Sequence, residues 1–172
     1  DTYRIEAIYQ LNDGLRLRTA YGTAIKNPSF SERFGFYTNF IANPNLEPEE
    51  STSWELGVDQ QLGELSLSAT LFDSELENEI NGFVYDPSTF AYTSGNNEGL
   101  SQRQGVELTA AVNMDDSLSI NAAYTYTDSV EAHLAGGYND EVRRARHTGS
   151  LNLARQVMDN LQISANAQYN GS

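Results

Sequence analysis

Residues 96–114, NNEGLSQRQGVELTAAVNM, limit the possible folds more sharply than any other stretch of the chain. In the second half Val106, Leu108, Ala110 and Val112 point one way while Glu107, Thr109, Ala111 and Asn113 point the other, because side chains on a strand repeat every two residues. One face is apolar and the other polar. The first half holds Asn, Gly, Ser, Gln and Arg with almost no apolar residue, so the strand runs on past whatever covers residues 106–112.

The same asymmetry recurs. Residues 2–11 place Tyr3, Ile5, Ala7, Tyr9 and Leu11 on one face and end at Asn12-Asp13-Gly14, a hairpin turn signal. A second strand, 15–25, opposes Leu15, Leu17, Thr19 and Tyr21 to Arg16, Arg18, Ala20 and Gly22. Residues 26–50 carry three of the four prolines and read as a long loop with some local structure. The third strand, 51–62, has Trp54, Leu56 and Val58 on its apolar face, and Gly63-Glu64 turns into a fourth over 65–79. There Leu65, Leu67, Ala69 and Leu71 share a face with Asp73, Glu75, Glu77 and Glu79. A strand in lipid needs only about 9 to 11 residues to cross, so the acidic half stands beyond the apolar slab. Residues 80–97 form a second long loop, the opening stretch descends to Asp115-Asp116-Ser117, and 118–130 rises again. A third loop, 131–142, precedes a strand over 143–157, a turn at Met158-Asp159-Asn160 and a last strand over 161–169.

Short turns near 13, 63, 116 and 159 alternate strictly with long loops near 38, 88 and 136. That layout predicts an all-β, antiparallel up-and-down meander of about eight strands in an outer-membrane barrel, with turns on the periplasmic side and long loops outside. A lipocalin-like barrel or sandwich would share the local alternation. It accounts less well for long loops all at one end and for apolar faces that stop halfway up.

Composition narrows the functions. The chain has 172 residues, no cysteine, two histidines, ten Lys and Arg together and a net charge of -14. Disulfide frameworks and cysteine-ligated metals are excluded, and a nucleic-acid partner is not expected where basic residues are so few. There is no long apolar run for a transmembrane helix, which says nothing against a barrel. Residue 1 already lies in a patterned strand and no secretory signal is present, so the chain reads as a piece of something longer.

Five segments carry a resemblance: AYGTAIKNPSFSERFG (20–35), NPNLEPEESTSWELGV (43–58), NNEGLSQRQGVELTA (96–110), YTYTDS (124–129) and RRARHTGSLNL (143–153). In order and spacing they resemble the C-terminal barrel half of the TonB-dependent outer-membrane receptors. The resemblance implies that residues 1–172 are a fragment of a roughly 22-stranded transmembrane β-barrel filled by a plug. It also implies active import of a scarce nutrient, with energy passed by the TonB complex through an N-terminal part that this chain lacks. The chain also ends at Asn170-Gly171-Ser172 without the family's terminal aromatic strand. GFY at 35–37 and NEG at 97–99 look most like cobalamin receptors, while siderophore and haem receptors share them. The alternative is a small complete outer-membrane barrel, an anchor, a porin-like channel or an outer-membrane enzyme, which would pair residues 2–11 with 161–170.

No catalytic residue and no cofactor is expected. His133 sits in a glycine-rich loop and His147 near the top of a descending strand, with no Ser or Cys placed to complete a triad. Glu49-Glu50 and Asp115-Asp116 read better as junction and turn residues than as acid-base pairs or calcium ligands, so no metal site is expected. If strands two and three pair, Arg16 and Arg18 point into the lumen beside Asp59, which compensates their charge. Outer-membrane lipid and lipopolysaccharide would surround the apolar face, with the row Asp73, Glu75, Glu77 and Glu79 at headgroup level. Contact with a small-molecule nutrient belongs to the outer loops, through Phe36, Tyr37, Tyr85, Tyr92, Asn96 and Asn97, with Arg143, Arg144 and Arg146 attracting an anionic chelate or balancing the acidic loop before them.

Overall fold

The computed structural model describes residues 1–114, 117–133, 135–141 and 144–171. In chain order the elements are β1 (Arg4–Asn12), β2 (Leu15–Lys26), α1 (Phe30–Phe34), β3 (Glu49–Leu62), β4 (Leu65–Glu77), β5 (Ile80–Asp86), β6 (Ala91–Asn96), β7 (Leu100–Met114), β8 (Leu118–Ala132), β9 (Tyr138–Asp140), β10 (His147–Met158) and β11 (Leu161–Gly171). Eight long strands form one antiparallel path, β1-β2-β3-β4-β7-β8-β10-β11, with β9 added to the end of β8 and β5-β6 standing apart as a hairpin. This is the expected meander. The path is open: among the described residues β1 and β11 are its two ends and do not pair with each other. A small barrel closed on its own first and last strands is therefore not what this chain forms.

Register makes the two faces explicit. One row across all eight strands is Tyr9, Leu17, Val58, Ala69, Leu108, Tyr124, Gly149 and Tyr169. One residue along, the row is Gln10, Arg16, Asp59, Ser68, Thr109, Ala123, Ser150 and Gln168. Because neighbours along a strand project to opposite sides, the first row lies on an apolar face and the second on a polar one. Neither is enclosed. Leu108 is 44% exposed and Ile163 53%, Leu67 and Leu161 are also exposed, and Leu65 and Val106 are half-buried. In a lipocalin-like barrel or sandwich these six side chains would line a sealed interior.

Among the described residues the buried apolar ones are instead Leu46, Ala91 and Ala132, all at the loop end. Accessible surface is 11623 Å², against ~8,400 Å² for a compact monomer of the same mass. A sheet this open is held by its backbone ladder and needs a solvent other than water for its apolar side. Hydrocarbon would fill that role, and in hydrocarbon backbone groups must be paired, a need met by the strands from β2 through β10, each with a neighbour on both sides. Where the apolar face ends, Tyr21 pairs with Trp54 and Trp54 with Asp73, and the Tyr3 and Tyr21 rings lie 6.0 Å apart. Aromatic side chains at such a boundary form the interfacial girdle of membrane barrels.

Three differences from the sequence expectation concern the long loops. Residues 80–97 contain the β5-β6 hairpin rather than irregular chain, and 131–142 contains β9. β4 stops at Glu77, and Asn78 takes a left-handed φ of 55°. That turn moves Glu79 out of the acidic row: its carboxylate accepts from the Ser101 hydroxyl, and Ser101 stands opposite Leu76, on the other face. The outward acidic row therefore has three members, Asp73, Glu75 and Glu77. The turn at Asp115-Asp116 lies outside the described residues.

Candidate functional site

The loop after β2 is built stepwise. Ser29 caps α1 in a capping box: its hydroxyl accepts from the Glu32 amide at 3.3 Å and the Glu32 carboxylate accepts from the Ser29 amide at 2.6 Å. The hydrogen bond from that amide, reinforced by Lys26, holds the Glu32 carboxyl below the usual carboxylate range. Lys26 also pairs with Glu49 at 3.1 Å, and Glu49 accepts from the Ile80 amide at 2.9 Å, which ties the loop root to the hairpin. Gly35 ends the helix with φ 75°, where an added Cβ would run into Phe40.

Beyond Gly35 the loop lays a short extended segment along β6. Tyr92 donates to the Asn39 carbonyl at 3.1 Å and Ile41 donates to the Tyr92 carbonyl at 2.7 Å. Asn43 donates to the Ser94 carbonyl at 2.9 Å. Asn96 accepts from the Glu47 amide and donates to the carbonyls of Glu47 and Asn78. Loop and hairpin thus become one body, and their aromatic rings meet on its outer side. Tyr37 stacks on Phe83 at 6.1 Å and 14°, Phe36 meets Tyr37 edge-on at 5.1 Å, and Tyr92 bridges Phe83 (5.8 Å) and Tyr85 (5.4 Å). Phe40 completes the group against Phe36 and Tyr37. Phe36, Tyr37, Phe83, Tyr85 and Tyr92 are all exposed. Hydrophobic rings left in water on a hydrogen-bonded scaffold form a preorganised apolar contact surface.

Two charge clusters lie on the polar face of the sheet. Near the short-turn end, Arg16 donates twice to Asp59, at 3.0 and 2.9 Å, while Arg18 reaches Asp59 at 3.5 Å and Ser68 at 3.3 Å. Arg18 lies flat across β3 because its cross-strand neighbour is Gly57, where a Cβ would stand 2.7 Å from the guanidinium carbon. At the loop end, Glu141 is held between Arg103 and Arg144. Burial pushes its carboxyl up, but hydrogen bonds from both guanidiniums and their charge outweigh this and hold it below the ordinary range. Arg146 pairs with Asp140 at 3.1 Å and approaches Asp128, balancing nearby acids. Arg143 lies outside the described residues.

A family model for the β-barrel of TonB dependent receptor-like proteins matches residues 1–172. The chain belongs to the TonB-dependent receptor family. The receptor fold also appears in solved structures similar to it. The ferric enterobactin receptor PfeA of Pseudomonas aeruginosa (an R480A, Q482A mutant) is 19% identical with TM-score 0.76 over 99% of this chain and 27% of that one. The hemophore receptor HasR of Serratia marcescens, a double mutant with its hemophore HasA and heme, is 20% identical with TM-score 0.74 over 99% and 32%. The FrpB iron transporter of Neisseria meningitidis is 13% identical with TM-score 0.75 over 98% and 26%. The chain therefore spans about a quarter to a third of the length of these structures.

In this receptor segment the structure gathers Phe36, Tyr37, Tyr85 and Tyr92 into one surface and adds Phe83 and Phe40. Phe83 has a signal in the sequence, the alternation Asn81, Phe83, Tyr85 in β5, whose exposed positions share a face. Asn96 and Asn97 do not join that surface: the first holds loop to hairpin and the second is 4% exposed. Arg103 and Glu141 are the members of the loop-end charge cluster that the sequence does not single out.

Proposed function

We propose that the receptor carrying this segment imports a scarce nutrient across the outer membrane of a Gram-negative bacterium, and that the aromatic platform makes contact with the incoming ligand. The observation behind this reading is the platform itself: six rings from two loops, joined by backbone pairing of 39–41 with Tyr92. An enzyme would need converging nucleophile and base, and a rigid exposed aromatic surface instead suits binding and hand-over. The apolar sheet face lies in the hydrocarbon, Asp73, Glu75 and Glu77 stand among lipopolysaccharide headgroups, and energy arrives from the TonB complex through the rest of the receptor. Ligands of the kind named for structurally similar receptors, ferric siderophores and haem, fit such a surface, as does cobalamin, each pairing polar groups with extensive apolar area.

The test is uptake of radiolabelled cobalamin, ferric enterobactin and haem by cells that express the full-length receptor and no other importer of these ligands. Accumulation of one of them, abolished by loss of TonB and reduced at least tenfold by Phe36→Ala with Phe83→Ala, is the expected result. Uptake that persists without TonB, or failure of all three, refutes the assignment.

A further inference from the structure

The charge cluster at the loop end has the geometry of an occupied anion site. Arg103 donates from Nε and an Nη to the two oxygens of Glu141 at 2.8 and 3.1 Å, and Arg144 repeats the arrangement at 2.9 and 3.2 Å. Two planar forks on one planar carboxylate are a shape-specific receptor for that group. The occupant comes from the third loop: Glu141 follows β9 and its amide donates to the Ser129 carbonyl at 3.2 Å. The cluster borders a cleft of about 790 Å³ on the polar face, with Phe72, Thr125, Thr127 and Thr148 among its lining. Phe72 spreads its ring over Gly105, whose added Cβ would stand 2.8 Å from the ring edge. The cleft thus offers an apolar surface beside the two guanidiniums.

We infer that Arg103 and Arg144 form a carboxylate-binding site for ligands, and that Glu141 is its exchangeable internal occupant. A ligand carboxylate presents the same two oxygens to the same donors, so it can replace Glu141 and free the third loop from the wall. Glu107 stands four residues further along β7 from Arg103, about 13 Å at strand rise, on the same face, and also borders the cleft. A second anionic group reaching that end of the cleft would meet its charge, so the site takes a single carboxylate on an otherwise neutral body that lies along Phe72. This deepens the import reading by naming a ligand group, but it is tested by binding in detergent, without transport, so either idea can fail alone.

The experiment titrates benzoate, with benzamide as the uncharged isostere, against the purified full-length receptor by saturation-transfer NMR. Glu141→Gln, with Glu141→Ala in parallel and thermal unfolding as a check on folding, empties the cradle of its charged occupant. The expected result is benzoate binding at least ~10-fold tighter than in the unsubstituted receptor, about 1.4 kcal/mol. The gain disappears when Arg103→Gln or Arg144→Gln is added, and benzamide shows none of it. In the unsubstituted receptor, saturating benzoate raises amide exchange at residues 138–141. Equal benzoate affinity with and without the Glu141 carboxylate, or benzamide binding as tightly as benzoate, overturns the site.

Discussion

The strand ladder and the loop end are held together in different ways. From the turns up to Tyr21, Trp54 and Tyr126, order comes chiefly from the backbone ladder, crossed on its polar face by the cluster of Arg16, Arg18 and Asp59, and large apolar groups such as Leu108 and Ile163 are exposed. Above that level Asn78 at φ 55° follows the end of β4, and Phe90 at φ 54° lies in the turn of the separate β5-β6 hairpin. There side chains bond to backbone: Asn43 to Ser94, Asn96 to Glu47 and Asn78, Glu49 to Ile80, Ser101 to Ala132. The first region depends on the solvent around it and the second on particular amides and carboxylates. A substitution should therefore be severe in one region for reasons that do not apply in the other.

The largest effect expected is from a charge on the apolar face. Leu108 lies within the apolar run of β7, between Val58-Ala69 on one side and Tyr124 on the other. Leu108→Arg should cost about 2–4 kcal/mol if that face meets the middle of a bilayer. Thr109→Arg, one residue along on the polar face, should change stability by less than about 1 kcal/mol. The measurement is urea unfolding of the full-length receptor in lipid vesicles, followed by the gel shift between folded and unfolded barrel. Equal effects at both positions would erase the distinction between the faces.

A smaller effect, confined to the other region, is expected from Asn96→Ala. The side chain accepts one hydrogen bond and donates two, so its loss leaves backbone groups of Glu47 and Asn78 without partners. About 2 kcal/mol of local stability should be lost, given ~1 kcal/mol for each such bond and more where a group is left buried. Amide exchange should rise over 36–47 and 80–96 while β7 and β8 stay protected. Uniform loosening of the ladder would show that the loop end is not a separate cooperative unit.

The same contrast explains what is legible in the sequence. Strands such as 106–112 and 161–167 announce themselves because a period-two pattern must persist wherever lipid lies on one side and water on the other. Even the pairing of Arg16 with Asp59 follows once strands two and three are set antiparallel. The hairpin at 80–97 is obscured for a physical reason: the turn residues 87–90, with Phe90 left-handed, break the pattern between its two short strands, and a register shift lies between Asn81 and Val84. Its partners are also remote and irregular. Nothing periodic says that Asn96 will seek Glu47 rather than a ligand, or that Glu141 will lie between Arg103 and Arg144, because a side chain bonded to distant backbone or to a single distant charge leaves no repeat. The ring cluster is intermediate, since its members are visible as aromatics but their meeting depends on the parallel bridge between Phe40 and Tyr92.

The smallest expected effect sharpens the contrast through pH. Glu32 closes the capping box of α1, and its carboxyl is held below the usual range first by the Ser29 amide and then by Lys26. A depressed folded-state pKa means that the unfolded loop binds the proton more readily, so the stabilisation is complete above the ordinary glutamate value of about 4.3 and is lost as pH falls through the lower folded value. Between pH 7 and about pH 5, amide exchange at 29–35, corrected for its intrinsic pH dependence, should therefore stay constant. Below about pH 4 it should rise at α1 before it rises in the ladder. Glu32→Gln keeps a hydrogen-bond acceptor but has no proton to gain, so it should start slightly less protected and show no acid-dependent change of its own. If α1 and the strand amides instead loosen together on acidification, with the Gln variant following the same curve, the loop end owes its order to the sheet beneath it and not to its own side-chain bonds.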